Sequence, residues 1–510
     1  MRLRLRWGEA TKPLSQLDDR RRALNPKIGW LAPEREIDDP ALQRMKLGPD
    51  VEPSETELLK APPEGGEVAA TGGPAAPETG VGAARRMGLK GFLQILGPGL
   101  ITGASDDDPS GIGTYSQAGA QFGFGVLWTA LFTFPLMLAM QELCARIALH
   151  TGIGLGVSLR RKFPTWLVGL CIIAMVVANT INIGADLGAV AAGGSLLTRG
   201  RIAPIWLVVP AAALIVGLQL FASYRIIFNA FKWLTLALFA YVITAFLVHP
   251  PAEKVLVATF VPHLEFNRAF ITMLVAILGT TISPYLFFWQ ASSEVDEMKA
   301  AGQRTERLRK GVTRSAMRGA RIDVFVGMAF SQLVMYAIIL VSAATFNAHG
   351  VTGIATADQA AKALEPLAGP LAFVLFAAGF IGTGLLAIPV LSGSAAYALA
   401  EFTGLKGTLA EKPKYRPTFY AVIVVATLAG VALNLLRIDV ISALFYTAVI
   451  NGVVAPPLMI LIALLGSDKK VMQKRVSGRL SLSLVWIATI GMTIAALLLV
   501  VTLVPHGPLS

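Results

Sequence analysis

The sequence predicts an all-α polytopic membrane protein with about eleven transmembrane helices. Of its 510 residues, 54% are hydrophobic, and the mean hydropathy is +0.62. The apolar residues are gathered into long runs, most of which reach the ~20 residues needed to cross the hydrocarbon core of a bilayer. The runs are 92–118, 122–149, 165–195, 203–222, 225–248, 267–293, 321–346, 367–400, 417–436, 439–465 and 481–505.

The basic residues test this count of spans. Lys and Arg are concentrated in alternate loops, those between spans 2–3, 4–5, 6–7, 8–9 and 10–11, while the opposite loops carry few. This alternation satisfies the positive-inside rule and places the N-terminus in the cytoplasm and the C-terminus outside. Because the basic residues are topology signals, the net charge of +12 does not indicate binding of nucleic acid.

The chain divides into a polar tail and a membrane domain. Residues 1–90 are rich in charge, Pro and Gly, which predicts a disordered cytoplasmic segment. The transmembrane domain, 91–505, contains two five-span sets, 91–248 and 267–465, and an extra span, 481–505. Because five is odd, the second set is inverted relative to the first. We expect a monomer in the plasma membrane (the inner membrane of a bacterium), with the lipid bilayer as its partner.

The first span contains an interruption. Asp106, Asp107 and Asp108 are followed by Pro109, and Gly111 comes two residues later. An Asp at the centre of a span costs about 2.5–3.5 kcal/mol, so three in a row indicate a function. Pro removes a helical hydrogen bond and Gly permits unusual backbone angles. We therefore predict that this helix unwinds in mid-membrane, where irregular backbone is tolerated only inside protein or beside a watery cavity.

The sixth span contains a second interruption. Gly279, Thr280, Thr281 and Ser283 precede Pro284 in the middle of the span. Spans 1 and 6 are the first members of the two inverted sets. Interrupted helices at matching positions of two inverted repeats indicate the central binding site of a transporter.

The residues at the two interruptions predict a site for a hard cation. The expected ligands are the Asp108 carboxylate, the carbonyl groups near Ser105 and Thr280, and the Ser283 hydroxyl, either directly or through water. Ser105 precedes Asp108 by one helical turn, so both are expected on one helix face. All these donors are oxygens, which suit Mg²⁺, Ca²⁺ or Mn²⁺. The cation is the substrate, and no resident cofactor is expected.

Other acidic residues lie near this site or within the spans. Asp106 and Asp107 are expected to face the same vestibule, or one of them to cap the helix that follows. Glu142 and Asp186 are acidic residues within the membrane spans. Such residues usually have a function, and the alternative is a structural role in an ion pair or hydrogen bond. Asp323 lies near the end of a span and is expected to be solvated.

The segment GPGLITGASDDDPSGIGTYSQAGAQFG at 97–123 resembles the first-span signature of the Nramp divalent-metal transporters, whose core is Asp-Pro-Gly-Asn. The following 127–152 resembles that family's second span. The resemblance covers the membrane region and implies a leucine-transporter-type fold of two inverted five-helix repeats with broken helices 1 and 6. It also implies transport by alternating access.

Several positions depart from the family pattern. Gly111 stands where the family has its Asn ligand, and the Met-Pro-His of span 6 becomes Ser-Pro-Tyr, with Ser283 in place of Met and Tyr285 in place of His. Gln290 replaces a later histidine, and the paired acids of span 3 are reduced to Asp186. Tyr285 and Gln290 are expected to line the cavity. This pattern resembles the Nramp-related magnesium transporter branch.

The main functional hypothesis is therefore uptake of divalent cations, Mg²⁺ in the first place, by alternating access without proton coupling. Two alternatives stay open: a proton-coupled Mn²⁺/Fe²⁺ importer of the Nramp type, and a sodium-coupled organic-solute carrier of the same fold. An enzyme is not expected, because no span carries the His-Glu-x-x-His pair of a metalloprotease.

Overall fold

The computed structural model describes residues 98–221, 238–405, 407–436 and 438–502, and within these ranges the chain is helical and contains no strand. The predicted tail, 1–90, lies outside the described residues. The helices are α1 (Pro98–Asp106), α2 (Pro109–Phe122), α3 (Trp128–Thr151), α4 (Leu155–Lys162), α5 (Thr165–Leu197), α6 (Pro204–Phe221), α7 (Phe239–Leu247), α8 (Ala252–Phe260), α9 (Arg268–Thr281), α10 (Pro284–Ala300), α11 (Glu306–Arg309), α12 (Arg314–Thr345), α13 (Ala357–Ala361), α14 (Glu365–Ala368), α15 (Ala372–Thr403), α16 (Pro417–Asn434), α17 (Val440–Ser467), α18 (Lys469–Met472) and α19 (Arg479–Thr502).

The predicted transmembrane helices are present. Among the described residues, nine helical segments are long and apolar enough to cross a membrane, with α9 and α10 counted together as one. The first predicted span is formed by the two shorter helices α1 and α2. The fifth is represented by α7, because residues 222–237 lie outside the described part.

Both predicted interruptions are present. The first span is broken between Asp106 and Pro109, and the sixth between Thr281 and Pro284. In each case Pro is the first residue of the second half, where its missing N–H costs nothing and its fixed φ suits a helix start. Local sequence therefore determines where both helices restart.

The packing of the helices is reciprocal between the two five-span sets. The second span of the second set, α12, packs against both halves of the broken first span, α1 and α2. Correspondingly, the second span of the first set, α3, packs against α10, a half of the broken sixth span. The third spans of the two sets, α5 and α15, pack against each other. In each set, the second span therefore packs against the broken first span of the other set. This reciprocal packing is expected of two inverted repeats.

Glycines allow α1 and α12 to approach backbone to backbone. A Cβ at Gly103 would lie 2.1 Å from the carbonyl oxygen of Gly327, and a Cβ at Gly327 would lie 2.0 Å from the carbonyl oxygen of Gly99. Small residues at a helix crossing inside a membrane permit such close contact. The crossing fixes α1 against α12 directly beside the interruption of the first span.

Asp323 of α12 is buried, and the expectation that it is solvated is wrong. Its Oδ2 accepts a hydrogen bond from the backbone N–H of Gly99 (2.6 Å) and its Oδ1 accepts one from Leu100 (3.1 Å). The first N–H groups of a helix have no partner within the helix, so a carboxylate from a neighbouring helix can satisfy them. Asp323 therefore anchors the N-terminus of α1.

Candidate metal centre

The two interruptions meet inside the bundle. The hydroxyl of Tyr285, at the start of α10, donates a hydrogen bond to the carbonyl oxygen of Ser105 near the end of α1 (2.9 Å). A Cβ built at Gly111 would lie 3.4 Å from both the carbonyl oxygen of Asp106 and the Oγ1 of Thr280. The predicted residues of spans 1 and 6 are thus brought together by the fold.

Asp108 is the N-cap of α2. Its Oδ1 accepts hydrogen bonds from the Ser110 hydroxyl (2.6 Å) and the Gly111 N–H (2.8 Å). Its Oδ2 accepts one from the Asn182 amide of α5 (3.0 Å). Asp is among the preferred N-cap residues because its oxygen satisfies an N–H of the first turn. An ionised carboxylate has about four lone-pair sites, so these three donors leave capacity for a cation.

One expectation about this segment is wrong, and one alternative is excluded. α1 ends at Asp106, and Asp108 lies outside both helices, so Ser105 and Asp108 do not share a helix face. Nor does Asp106 or Asp107 cap the second half-helix, because Asp108 does so. The proline at the first position of α2 selects the residue immediately before it as the N-cap.

Asp106 and Asp107 instead face α12. The hydroxyl of Ser331 donates to Asp106 Oδ2 (2.5 Å) and lies 3.3 Å from Asp107 Oδ1. Both acids are fully buried, and the second oxygen of each has no hydrogen-bond partner among the described residues. Two buried carboxylates with free oxygens make this region strongly attractive to cations.

The predicted ligands of span 6 are hydrogen-bonded to one another. The Ser283 Oγ lies 2.8 Å from the carbonyl oxygens of both Gly279 and Thr280, so its single hydrogen is shared between them or donated to one. It therefore partly satisfies the freed C-terminal carbonyls of α9. A carbonyl oxygen has two lone pairs, so Thr280 keeps one for a cation. The same holds for the Ser105 carbonyl, which accepts the Tyr285 hydroxyl.

α5 contributes two further polar residues to this centre. Asn182 binds Asp108 directly, and Asp186 follows one turn later on the same helix face. Asp186 is fully buried, and its carboxylate interacts with the backbone N–H of Ser110 at the start of α2. Sequence reasoning identified Asp186 but missed Asn182. The one-turn spacing from an intramembrane acid was the signal that could have found it.

Gln290 lies two turns into α10, away from the interruption. Its Oε1 accepts a hydrogen bond from the Thr102 hydroxyl (2.6 Å), and its amide donates to Glu294 (2.9 Å). The side chain is fully buried. Gln290 therefore connects α1 with α10 by hydrogen bonds, away from the candidate centre.

Glu142 belongs to a separate ion-pair network, so its assignment to the surroundings of the metal is wrong. It forms ion pairs with Arg146, one turn later in α3, and with Arg321 of α12 (3.0 Å). Ser481 of α19 donates to its second oxygen (3.1 Å). The network connects three helices, which is the structural alternative that the sequence left open.

The chemistry of the centre follows from its donors. Its oxygens come from the carboxylates of 106–108 and 186, the backbone at both interruptions and the Asn182 amide. No group of three or more His, Cys, Asp or Glu side chains is arranged to hold a metal ion within the described ranges. A cation here would thus rely on few carboxylates, supplemented by carbonyl oxygens and retained water, which suits hard divalent ions.

We expect Asn182→Ala to weaken cation binding without unfolding the protein. A hydrogen bond to a charged group contributes about 1.5–3 kcal/mol, so losing the donor to Asp108 should raise the KM of uptake at least tenfold. The matched control is Asn179→Ala. One turn earlier, Asn179 donates to Leu391 and Ser394 instead, and its loss should leave KM unchanged. Equal KM values for the two variants would contradict a role for Asn182 at the centre.

Comparisons with known proteins agree with this architecture. Residues 99–502 match the sequence model of the Nramp family, described as natural resistance-associated macrophage protein-like. The divalent metal cation transporter MntH of Erwinia tasmaniensis is 29% identical over 305 residues, which cover 59% of this chain and 70% of that protein. The MntH of Deinococcus radiodurans is 29% identical over 312 residues, covering 60% and 68%.

The structural likeness covers a still larger part of the chain. The crystal structure of the Eremococcus coleocola manganese transporter, in complex with an aromatic bis-isothiourea substituted compound, superposes with a TM-score of 0.62. It shares 16% sequence identity and covers 84% of this chain and 90% of that one. At this identity the likeness shows the fold alone, and it confirms the predicted polytopic helical architecture.

Proposed function

The chain belongs to the Nramp family of divalent metal cation transporters, and on that premise we propose that it imports Mn²⁺ or a similar transition-metal ion across the inner membrane of a bacterium. The observation that carries the proposal is Asp108, a buried carboxylate at the junction of two broken helices. The curated relatives are named divalent metal cation transporters, and the superposed structure is a manganese transporter. These names support the Mn²⁺ importer over the Mg²⁺ hypothesis drawn from the sequence.

Proton coupling is part of this proposal. A coupled carrier needs a titratable group near the cation, and Asp186 lies one turn from the Asn182 that holds Asp108. Its carboxylate is fully buried beside the backbone N–H of Ser110. Asp186 is thus placed to take up a proton when the cation leaves or enters.

Uptake of Mg²⁺ without proton coupling is the second candidate, and one observation favours it. The donors at the interruptions are all oxygens, and Ser283 stands where a thioether would favour softer metals. Mg²⁺ is a hard ion that usually keeps several waters. An inward-negative potential favours entry of a divalent ion by about 4.6 kcal/mol per 100 mV, so coupling is not required for import.

Flux into proteoliposomes distinguishes the two candidates. The purified protein is reconstituted with a pH-sensitive dye inside, a membrane potential is imposed, and Mn²⁺, Mg²⁺ or Ca²⁺ is added outside. We expect Mn²⁺ uptake accompanied by acidification of the interior. Mg²⁺ uptake without acidification would instead support the second candidate. Absence of flux for all three ions would contradict both.

Restoring the Nramp pattern at positions 283 and 111 is expected to change the selectivity for metal ions. In the double variant Ser283→Met and Gly111→Asn, a thioether and an amide carbonyl are added beside Thr280. A Cβ at residue 111 meets its nearest neighbour, an atom of the Tyr115 ring, at 3.2 Å, so the larger side chain requires a small shift. We expect uptake of Cd²⁺ relative to Mg²⁺ to rise at least tenfold, because soft ligands favour soft ions.

The control for this prediction is Ser392→Met. Ser392 is also a buried serine whose hydroxyl donates to carbonyls of its own helix, α15, but it is bonded to Gln219 of α6 and not to either interruption. Its substitution should not change the ratio of Cd²⁺ to Mg²⁺ uptake. A wild-type ratio in the double variant would mean that positions 111 and 283 do not face the ion.

A further inference from the structure

A polar cavity lies outside the broken helices. Its volume is about 200 Å³, and it is formed where the end of α3 meets α4, the connection between α10 and α12, and the segment after α17. These are the basic segments that the positive-inside rule assigns to the cytoplasmic side. Neither the proposed transport nor the metal centre uses this cavity.

The lining of the cavity is strongly basic. Four of its side chains are cationic and one is a carboxylate, which leaves a net charge of +3 at neutral pH. They are Arg161, Lys162, Lys310, Lys470 and Glu306. A concave surface lined by one sign of charge concentrates ions of the opposite sign. The cavity therefore attracts an anion.

Two of the four cationic side chains already form ion pairs with carboxylates. The Arg161 guanidinium forms a bidentate ion pair with the Glu306 carboxylate, with N···O distances of 2.7 Å and 3.1 Å. This contact lowers the pKa of the Glu306 carboxyl below its usual range. Lys162 is paired with Asp468. The other two, Lys310 and Lys470, have no ion-pair partner among the described residues, so their charges remain available.

A buried polar side chain in the same lining has an unused hydrogen-bonding atom. The hydroxyl of Ser158 has no partner in the described part of the chain. The residue is only 4% exposed. A buried polar atom without a partner is energetically unfavourable, so such an atom is usually satisfied by a ligand or water. A solvated basic surface alone does not explain it.

We propose that this cavity binds a phosphate group. The oxygens of a phosphate accept a hydrogen bond from the Ser158 hydroxyl, and its charge is balanced by the two available lysines, Lys310 and Lys470. The volume equals that of several water molecules of about 30 Å³ each, which is large enough for a phosphate group. The group is supplied either by free inorganic phosphate or by the headgroup of an anionic lipid, since basic residues at the membrane surface attract such lipids.

A bound phosphate group would connect three segments that are far apart in sequence. Lys310 lies between α10 and α12, Lys470 follows α17, and Ser158 belongs to α4. α10 is one half of the broken sixth span. Binding is therefore expected to raise the melting temperature of the whole protein, because a ligand that binds only the folded state stabilises it.

The test uses the purified full-length protein in neutral detergent and the double variant Lys310→Gln and Lys470→Gln. Inorganic phosphate and dihexanoyl phosphatidylglycerol are titrated separately, and binding is followed by calorimetry and by the melting temperature. The matched control is Lys412→Gln with Lys414→Gln, two exposed lysines in another loop of the same face that do not line the cavity. A second cavity variant, Ser158→Ala, removes a hydroxyl without changing charge.

We expect one of the two probes to bind, with at least tenfold weaker affinity in the Lys310/Lys470 variant, weaker affinity in Ser158→Ala and less than a twofold change in the control. Binding of inorganic phosphate identifies a free anion as the source, and binding of phosphatidylglycerol alone identifies a lipid headgroup. The proposal is overturned if neither probe binds the wild type. It is also overturned if the cavity variants and the control lose affinity equally.

Discussion

Asp108→Asn is expected to abolish cation uptake while the protein stays folded. Asn is as good an N-cap as Asp, so its oxygen can keep the bonds from Ser110 and Gly111. The introduced amide would meet the Asn182 amide, but the Oδ1 of Asn182 is unpartnered, and a turn of that amide restores a hydrogen bond. What is lost is the negative charge that a divalent cation requires.

Removal of this charge also predicts the sign of the stability change. Three consecutive buried carboxylates repel one another in a region of low dielectric constant. In the absence of divalent cations, the melting temperature of Asp108→Asn should therefore equal or exceed that of the wild type. In their presence, only the wild type should gain stability, because a ligand stabilises the state that binds it.

The control for this prediction is Asp439→Asn. Asp439 is also an N-cap, accepting a hydrogen bond from the Ser442 N–H at the start of α17 (2.8 Å), but it is exposed to solvent. The same substitution there should leave uptake unchanged. Measurement of radiolabelled or dye-reported uptake in proteoliposomes decides the question. Wild-type uptake by a folded Asp108→Asn protein would refute the assignment of the metal centre.

Gly327→Ala is expected to disrupt the bundle next to that centre. Its Cβ would lie 2.0 Å from the carbonyl oxygen of Gly99 and 2.7 Å from its carbonyl carbon. Both atoms are backbone, so no side-chain rotation relieves the overlap, and α1 must move away from α12. Overpacking costs about 1–3 kcal/mol or more, and the movement also strains the bonds from Asp323 to α1.

The matched control is Gly319→Ala in the same helix. A Cβ at Gly319 meets nothing within 4 Å, and Ala is favoured over Gly in a helix interior by about 1 kcal/mol. We expect Gly319→Ala to melt at or above the wild-type temperature and Gly327→Ala to melt well below it, with loss of uptake. Equal melting temperatures in detergent would contradict the close helix crossing.

The amino-acid sequence by itself determined the helices and their interruptions. Long apolar runs have to be helical in a membrane, because every backbone polar group must be bonded within the segment. The restarts at Pro109 and Pro284 are equally local, since a proline has no N–H and fixes φ. For the same reason, the sequence located Asp108 at the candidate centre, with the Gly111 and Thr280 that approach each other there.

Only the tertiary structure decided which partner each polar side chain takes. Asn182 and Asp108 are 74 residues apart, and Ser331 and Asp106 are 225 apart; no pattern along the chain connects them. Glu142 illustrates the same limit, because an acid within a span is compatible with an ion site or an ion pair. Helix packing brings Arg146 and Arg321 to it and so decides the outcome. The physical reason is that a buried charge must find a partner, and the fold determines which partners are within reach.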